Sequence, residues 1–206
     1  MKPIDVSVVV CTYNRAEMLR AALESLARLE TGGRFTYEIV AVDNASTDHT
    51  PEVIERFAAE CPVPFTRAVE PRQGIAQARN RALDEAQGEW IVYFDDDQVA
   101  DPGWLAALLE TARQTGARCI GGAVHLLLPA GSPEDLPAVC RRMLGESLGE
   151  PEPCRYNRKL TPATGNVAFH RTVFNEIGRF DESLVEGGED ADLIRRMRLA
   201  GIDAWY

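Results

Sequence analysis

The sequence predicts an α/β domain built on a Rossmann-like, mostly parallel sheet flanked by helices, and three observations predict it. Mostly apolar runs of strand length, Val6 to Cys11, Tyr37 to Val42 and Trp90 to Phe94, alternate with stretches of helical period. These runs are apolar at both odd and even positions, as strands covered on two faces require. Each run also gives way to polar or acidic residues at its C-terminal end, where open α/β sheets bind ligands.

The elements follow in order. Val6 to Cys11 is rich in β-branched residues, and Thr12-Tyr13-Asn14-Arg15 ends it in a polar loop. From Ala16 to Leu29, Met18, Leu19, Ala22, Leu23, Leu26 and Leu29 recur at helical spacing, and Gly32-Gly33 stops the helix. The second strand, Tyr37 to Val42, ends on Asp43. Asp43 to Asp48 is turn chemistry, with Thr50-Pro51 as N-cap and first residue of a helix through about Ala59. Pro64 to Val69 is a third strand interrupted by Thr66 and Arg67, and Gly74 opens a helix over Ile75 to Ala86 that Gly88 closes.

Trp90 to Phe94 is the next strand. A helix from Pro102 to Gln114 follows, with Trp104, Leu105, Leu108 and Leu109 as its apolar stripe. Cys119 to Leu128 reads as another strand. Pro129 to Lys159 is rich in Pro, Gly and charge and carries one short helical pattern from Leu136 to Leu144, so it is an excursion from the sheet, of the kind that forms functional loops. Strand character returns over Gly165 to Phe169, a short helix spans Arg171 to Ile177, and Glu189 to Ala200 is a last amphipathic helix capped by Gly201. Ile202 to Tyr206 has the start of a strand, so the fold is expected to continue past Tyr206.

At 206 residues the chain holds one good-sized core and is read as a single domain, 1–206. A net charge of −10 argues against a general nucleic-acid binder, which needs a basic footprint. The five cysteines have neither CxxC nor zinc-site spacing and point to a reducing, cytoplasmic setting. The three histidines do not pair at metal-ligand spacing. No apolar segment approaches the roughly 18 residues that span a bilayer, and the N-terminus lacks a signal-peptide core. Peripheral attachment at the inner face of a membrane is compatible with this.

Asp95-Asp96-Asp97 follows the Trp90 strand directly, and three adjacent carboxylates repel unless a cation joins them. Two readings stand. A hard divalent cation carrying a phosphorylated ligand uses one or two carboxylates and fills its shell with phosphate oxygens and water. Alternatively the acids form a solvated turn before the next helix. Thr12 to Arg15, Asp43 to Asp48, Arg72 to Asn80 and Asp95 to Asp97 all fall at strand ends or helix starts, along one rim of the sheet. The first loop lacks both a dinucleotide fingerprint and the glycines and lysine of a P-loop, so a nicotinamide or ATPase reading is weak.

Val8 through Arg15, Val42 through Asp48, Gly74 with Ala78-Arg79-Asn80, the triple Asp, Gly165-Asn166 and Gly187-Gly188-Glu189-Asp190 together resemble the family 2 glycosyltransferases of the GT-A fold, over essentially the whole chain. The resemblance implies a nucleotide-diphospho-sugar donor, UDP-linked by preference, with Mn²⁺ or Mg²⁺ as cofactor. Thr12, Tyr13 and Arg15 would line the nucleotide pocket, and Asp43 would accept hydrogen bonds from base or ribose. Arg79 would face the diphosphate, where a guanidinium fork suits two oxygens. Asp95 and Asp96 would contact ribose and metal, and Asp97 would ligate the metal directly, with Asp95 beside it. Residues 1–115 would then form the nucleotide-sugar half and 116–206 the acceptor half, with Gly165, Asn166 and Glu189 on the acceptor side. In many GT-A enzymes a histidine beyond the final helix adds a metal ligand, and no such residue follows here.

Sugar transfer needs a base to take the acceptor hydroxyl's proton, and Asp190 matches that position of the family. A second explanation of Glu189, Asp190 and Asp192 is physical: acids in a helix's first turn complement its dipole. The implied activity is inverting transfer to a saccharide, lipid-linked or other hydroxyl acceptor. A sugar-nucleotide-binding module without turnover is the alternative. A nucleotide-sugar pyrophosphorylase would want a glycine-rich, lysine-containing loop after the first strand, which is absent.

Overall fold

The computed structural model describes residues 3–128, 131–133, 136–149, 152–156, 162 and 164–206. Both bounds of the expected excursion, Pro129 and Lys159, lie outside these. Strands β1 (Val6–Thr12) and β2 (Tyr37–Asp43) pair in parallel, from Val6 opposite Tyr37 to Thr12 opposite Asp43. β3 (Phe65–Val69) adds to β2, and β4 (Trp90–Phe94) adds to the other side of β1, both parallel. β6 (Asn166–His170) then lies antiparallel to β4, and the three-residue β5 (Cys119–Gly121) is antiparallel to β6, giving the order β3-β2-β1-β4-β6-β5. Only β6 among the described strands runs against the rest.

Alternation along each strand sends side chains to two cores. Val8, Val10, Ile39, Ala41, Val92 and Phe94 meet α1 (Ala16–Leu26), α2 (Thr50–Glu60) and α4 (Trp104–Thr115) on one face. Val9, Val40, Val42, Ile91, Tyr93 and Phe169 meet α3 (Ile75–Glu85), α6 (Arg171–Ile177) and α7 (Glu189–Leu199) on the other. Each fully buried Val, Ile or Phe side chain of these layers contributes about 1.5–3 kcal/mol. Among the described residues no helix is long and apolar enough to cross a membrane.

Several boundaries differ from the sequence expectation for visible reasons. α1 ends at Leu26 rather than Leu29, and the Glu30 N–H donates to the Pro102 carbonyl (2.8 Å) as the chain leaves the helix. Thr50 is a helical residue and not the cap: Asp48 Oδ1 accepts the Thr50 N–H at 2.9 Å. β5 stops at Gly121 rather than reaching Leu128. A Cβ there would lie 2.4 Å from the Tyr156 hydroxyl, and one on Gly122 would lie 2.7 Å from the Asn166 amide, so neighbouring chain fills the space beside the strand. The expected strand at Ile202 to Tyr206 is a pair of isolated bridges made by Trp205 to Ile120 and Arg155. The excursion carries α5 (Ala138–Met143), which buries none of its residues.

A buried carboxylate fastens the end of the sheet away from the rim. Glu38 Oε1 accepts the Ser7 hydroxyl (2.6 Å) and the Gln87 N–H (2.8 Å), and Ser7 Oγ accepts the Gly88 N–H (2.8 Å). Glu38 is inside the sheet, and these bonds offset its desolvation. They also fix the turn that delivers β4, and hence the acids beyond it, to the opposite edge.

Candidate functional site

The rim is built from loops stitched to one another. Asn14, in the left-handed region at φ 52°, accepts the Thr47 N–H (2.8 Å) and Asp48 N–H (3.3 Å) on its side-chain oxygen, while its own N–H donates to Ser46 Oγ (2.9 Å). Asparagine tolerates this conformation better than most residues. Asp48 takes the Thr50 and Ala16 amides, and the Thr50 contact leads in holding its carboxyl below the usual aspartate range. These bonds tie the β1 and β2 loops to each other.

Asn44 performs the same service for the loop into α3. Its Oδ1 accepts the Gly74 N–H at 2.9 Å, and its Nδ2 donates to the Glu70 and Arg72 carbonyls at 3.0 and 2.8 Å. Gly74 sits at φ 144°, where a side chain would be strained and a Cβ would run into Gln77. The cavity framed by these loops, about 440 Å³, is lined by Thr12, Tyr13, Arg15, Gly74 and Asp95 to Asp97 with their neighbours. Thr12 and Asp43 lie opposite each other at the ends of β1 and β2. Tyr13 is exposed at the mouth, and Asp43 is buried with Oδ1 on the Ser46 N–H (3.0 Å).

The triple acid is not a solvated turn throughout. Burial pushes the Asp95 carboxyl above the usual aspartate range, Asp96 and Asp97 add repulsion, and Arg79 and Arg15 oppose it. Asp96 is raised by burial too, against the pull of Thr12 and Arg15. The buried Thr12 hydroxyl lies near Asp96 yet outside hydrogen-bond geometry, so it has no partner among the described residues. Arg15 Nη1 bridges Asp96 Oδ1 (3.1 Å) and Asp97 Oδ2 (2.7 Å). Gly165 packs against Asp95: its carbonyl accepts the Asp95 N–H at 3.3 Å, and a Cβ would come within 2.1 Å of Asp95 Oδ2.

The second acidic cluster joins the first through α3. Arg79 and Glu189, both buried, form an ion pair across 110 positions of sequence, and Arg79 also lies close enough to pull on Asp95. Arg79, expected to face a diphosphate, faces Glu189 here and is not among the residues lining the cavity. Two charges this deep must be paired, and Glu189 is the partner the fold supplies. Glu189 is buried for the same reason, although it was expected on the acceptor side. Asp190 is half-buried in the first turn of α7, with Oδ1 on the Ala191 N–H (2.6 Å). Asp192 pairs instead with Arg196 (2.7 Å) along the helix.

Asn166, also expected on the acceptor side, has both ends of its amide engaged: Oδ1 accepts Trp104 Nε1–H (2.8 Å) and Nδ2 donates to the Ala123 carbonyl (2.8 Å). It ties β6 to α4 beneath the rim. Asn80 is a site-building residue to which the sequence attached no separate role. It clamps the strand of chain before α7, donating to the Phe180 carbonyl and Glu182 Oε1 (both 3.0 Å) and accepting the Phe180 N–H (3.1 Å). Arg72 adds a 2.7 Å ion pair to Glu182. Asparagines beside strand-end loops are the signal that marks Asn14 and Asn44.

A largely parallel sheet of this strand order, with acids and a guanidinium gathered at the strand ends, defines a GT-A type α/β fold. A sequence model of glycosyl transferase family 2 matches residues 7–135, and the chain belongs to that family. It is 31% identical over 201 residues to the succinoglycan biosynthesis protein ExoM of Rhizobium meliloti, covering 96% of this chain and 62% of that protein. Glycosyltransferase AglE of Haloferax volcanii is 26% identical over 186 residues, 89% of this chain and 58% of the relative. The chain thus spans about 60% of the length of these curated relatives. The mannosyltransferase PcManGT from Pyrobaculum calidifontis, solved in complex with GDP-Man and Mn²⁺, superposes with a TM-score of 0.72 at 25% identity, over 99% of this chain and 56% of that one. TarS of S. aureus shares the fold, with a TM-score of 0.71 at 20% identity over 98% of this chain and 58% of that one.

Proposed function

We propose that this chain carries the catalytic domain of a metal-dependent, inverting glycosyltransferase that moves a sugar from a nucleotide-diphospho-sugar to a hydroxyl of a saccharide or lipid-linked acceptor. The observation that carries the reading is the pairing of Asp96 and Asp97 with Arg15 at the strand-end cavity: a cationic group already sits where a diphosphate-bearing cation is wanted. The donor set fits a divalent cation, being hard carboxylate oxygens two of which are disfavoured as bare anions by burial. Among the described residues no three His, Cys, Asp or Glu side chains form a ready cage. That agrees with a site completed by donor phosphates and water. A cation bound there would supply Lewis-acid stabilisation of the departing diphosphate.

In this reading Thr12, Tyr13 and Asp43 hold the nucleoside, and Asp97 and Asp95 hold the cation. Asp190 takes the acceptor proton as the hydroxyl attacks the anomeric carbon opposite the leaving group. Arg79 and Glu189 tie the start of α7, where Asp190 lies, to α3. A UDP-linked sugar is the preferred donor, and the GDP-Man bound to PcManGT makes GDP-linked sugars the second class to try.

Asp190→Asn tests the assignment. Release of UDP or GDP from a panel of donor sugars, with Mn²⁺, should fall about 10²-fold or more, while calorimetric nucleotide binding stays near wild type. Turnover retained in the variant would sink Asp190 as the base. Metal-dependent nucleotide binding with no turnover from any donor, even in wild type, would favour the binding module instead.

A further inference from the structure

Arg15 has two unlike halves. Its backbone is pinned, with the N–H on Thr50 Oγ1 (3.1 Å) and the carbonyl accepting the Leu19 N–H (3.0 Å) as α1 begins. Its guanidinium is half-exposed and reaches across to Asp96 and Asp97. A cation is disfavoured at a helix N-terminus, so the two carboxylates, and not the helix, hold the guanidinium where it is. Asp97, whose Oδ2 lies 2.7 Å from the guanidinium, is also a carboxylate assigned above to the cation.

The pair also has a special place among the cavities. Beside the 440 Å³ strand-end cavity lies another of about 800 Å³, between the starts of α1 and α2. Among the described residues the two cavities share Arg15 and Asp97 and no other lining side chain. The ion pair therefore borders both.

We propose that Arg15 is an internal stand-in cation that makes metal binding and donor binding depend on each other. This rests on the reading of the rim as a metal–diphosphate site. Without donor, the guanidinium neutralises Asp96 and Asp97, and an incoming cation must displace it from Asp97. A nucleoside diphosphate offers the displaced fork an equivalent partner in its phosphate oxygens. Metal alone therefore binds against Arg15, whereas metal with donor binds with a new place for it to go. By linkage, metal must tighten donor binding by the same factor.

The test is calorimetric titration of Mn²⁺ into wild type, Arg15→Gln and Arg15→Lys at low ionic strength, with and without saturating UDP or GDP. Arg15→Gln should bind Mn²⁺ alone about fivefold more tightly than wild type, the size expected for a partly exposed pair. Adding nucleotide should tighten Mn²⁺ binding by a larger factor in wild type than in Arg15→Gln. Arg15→Lys, which keeps charge without the fork, should fall between them, and it carries the test if melting curves show Arg15→Gln to be misfolded. Nucleotide-dependent Mn²⁺ binding in wild type, with the variants binding Mn²⁺ alone no tighter than wild type, overturns the stand-in role and leaves the rim reading intact. Absence of Mn²⁺ binding in every protein, with either nucleotide, overturns the rim reading and this inference with it.

Discussion

Asp95 illustrates how a carboxylate gathered at the rim can work against the fold that carries it. Its side chain is half-buried beside Gly165 and two further carboxylates, and desolvation raises its pKa. Because the folded-state pKa lies above the unfolded value, the folded state binds the proton more tightly. Stability is therefore highest below the unfolded pKa and is lost as pH rises toward the folded one, staying low beyond it. Asp95→Asn, which cannot ionise, should melt at a higher temperature than wild type at about pH 7.5 in the absence of divalent cations, and the gap should close toward about pH 3. The same substitution should weaken nucleotide-dependent Mn²⁺ binding. Equal melting temperatures across this range would remove burial as the dominant influence on Asp95. Arg79 and Glu189 show the converse, buried charges that each need the other. Glu189→Gln should cost about 3 kcal/mol in denaturant unfolding by stranding the guanidinium, and pairing it with Arg79→Met should restore much of that loss.

At the scale of elements, two glycines separate stability from site geometry. A Cβ on Gly88 would lie 2.5 Å from the Ser7 backbone nitrogen, so Gly88→Ala must push β1 from the turn before β4. A Cβ on Gly165 meets instead the free end of the Asp95 side chain. Gly88→Ala is expected to cost about 2 kcal/mol or more through overpacking. Gly165→Ala should cost less, yet displace Asp95 and weaken Mn²⁺–nucleotide binding; urea curves and titrations on both variants check the contrast. Elements were legible in the sequence wherever burial was two-sided, as in β1, β2 and β4, because the apolar pattern records it. The reversal of β6 was not, since local pattern carries no strand direction. The short reach of β5 was hidden too, as it depends on Tyr156 and Asn166 lying across Gly121 and Gly122. The triple Asp and Arg15 were legible as strand-end polar residues, but not that they would pair with each other. The partner of Arg79 lies 110 positions away in sequence, a contact that no local signal encodes.

At the scale of the whole molecule, residues 1–115 and 116–206, expected from the sequence as nucleotide and acceptor halves, are not separable bodies. β6 comes from the second half and pairs with β4 of the first along five residues, from Trp90 opposite His170 to Phe94 opposite Asn166. Tyr93 and Phe169 meet edge to face at 6.2 Å across that seam, and Phe174 and Phe180 extend the aromatic contacts on the same side. Polar links run the same way, from Asn80 to Phe180, Arg72 to Glu182 and Arg171 to the Ala86 and Gly88 carbonyls. Loss of either half would expose the long apolar edge of β4 or strip the core from α6 and α7, so neither can melt first at small cost. Two tryptophans lie at the seam, Trp90 in β4 and Trp104 in α4 against Asn166, and the third, Trp205, is bridged to Ile120 within residues 116–206. Denaturation followed by tryptophan fluorescence and by far-ultraviolet circular dichroism should therefore give superimposable single transitions. Separate midpoints would mean that the seam yields first, and that α7 can part from α3 while residues 1–115 stay folded.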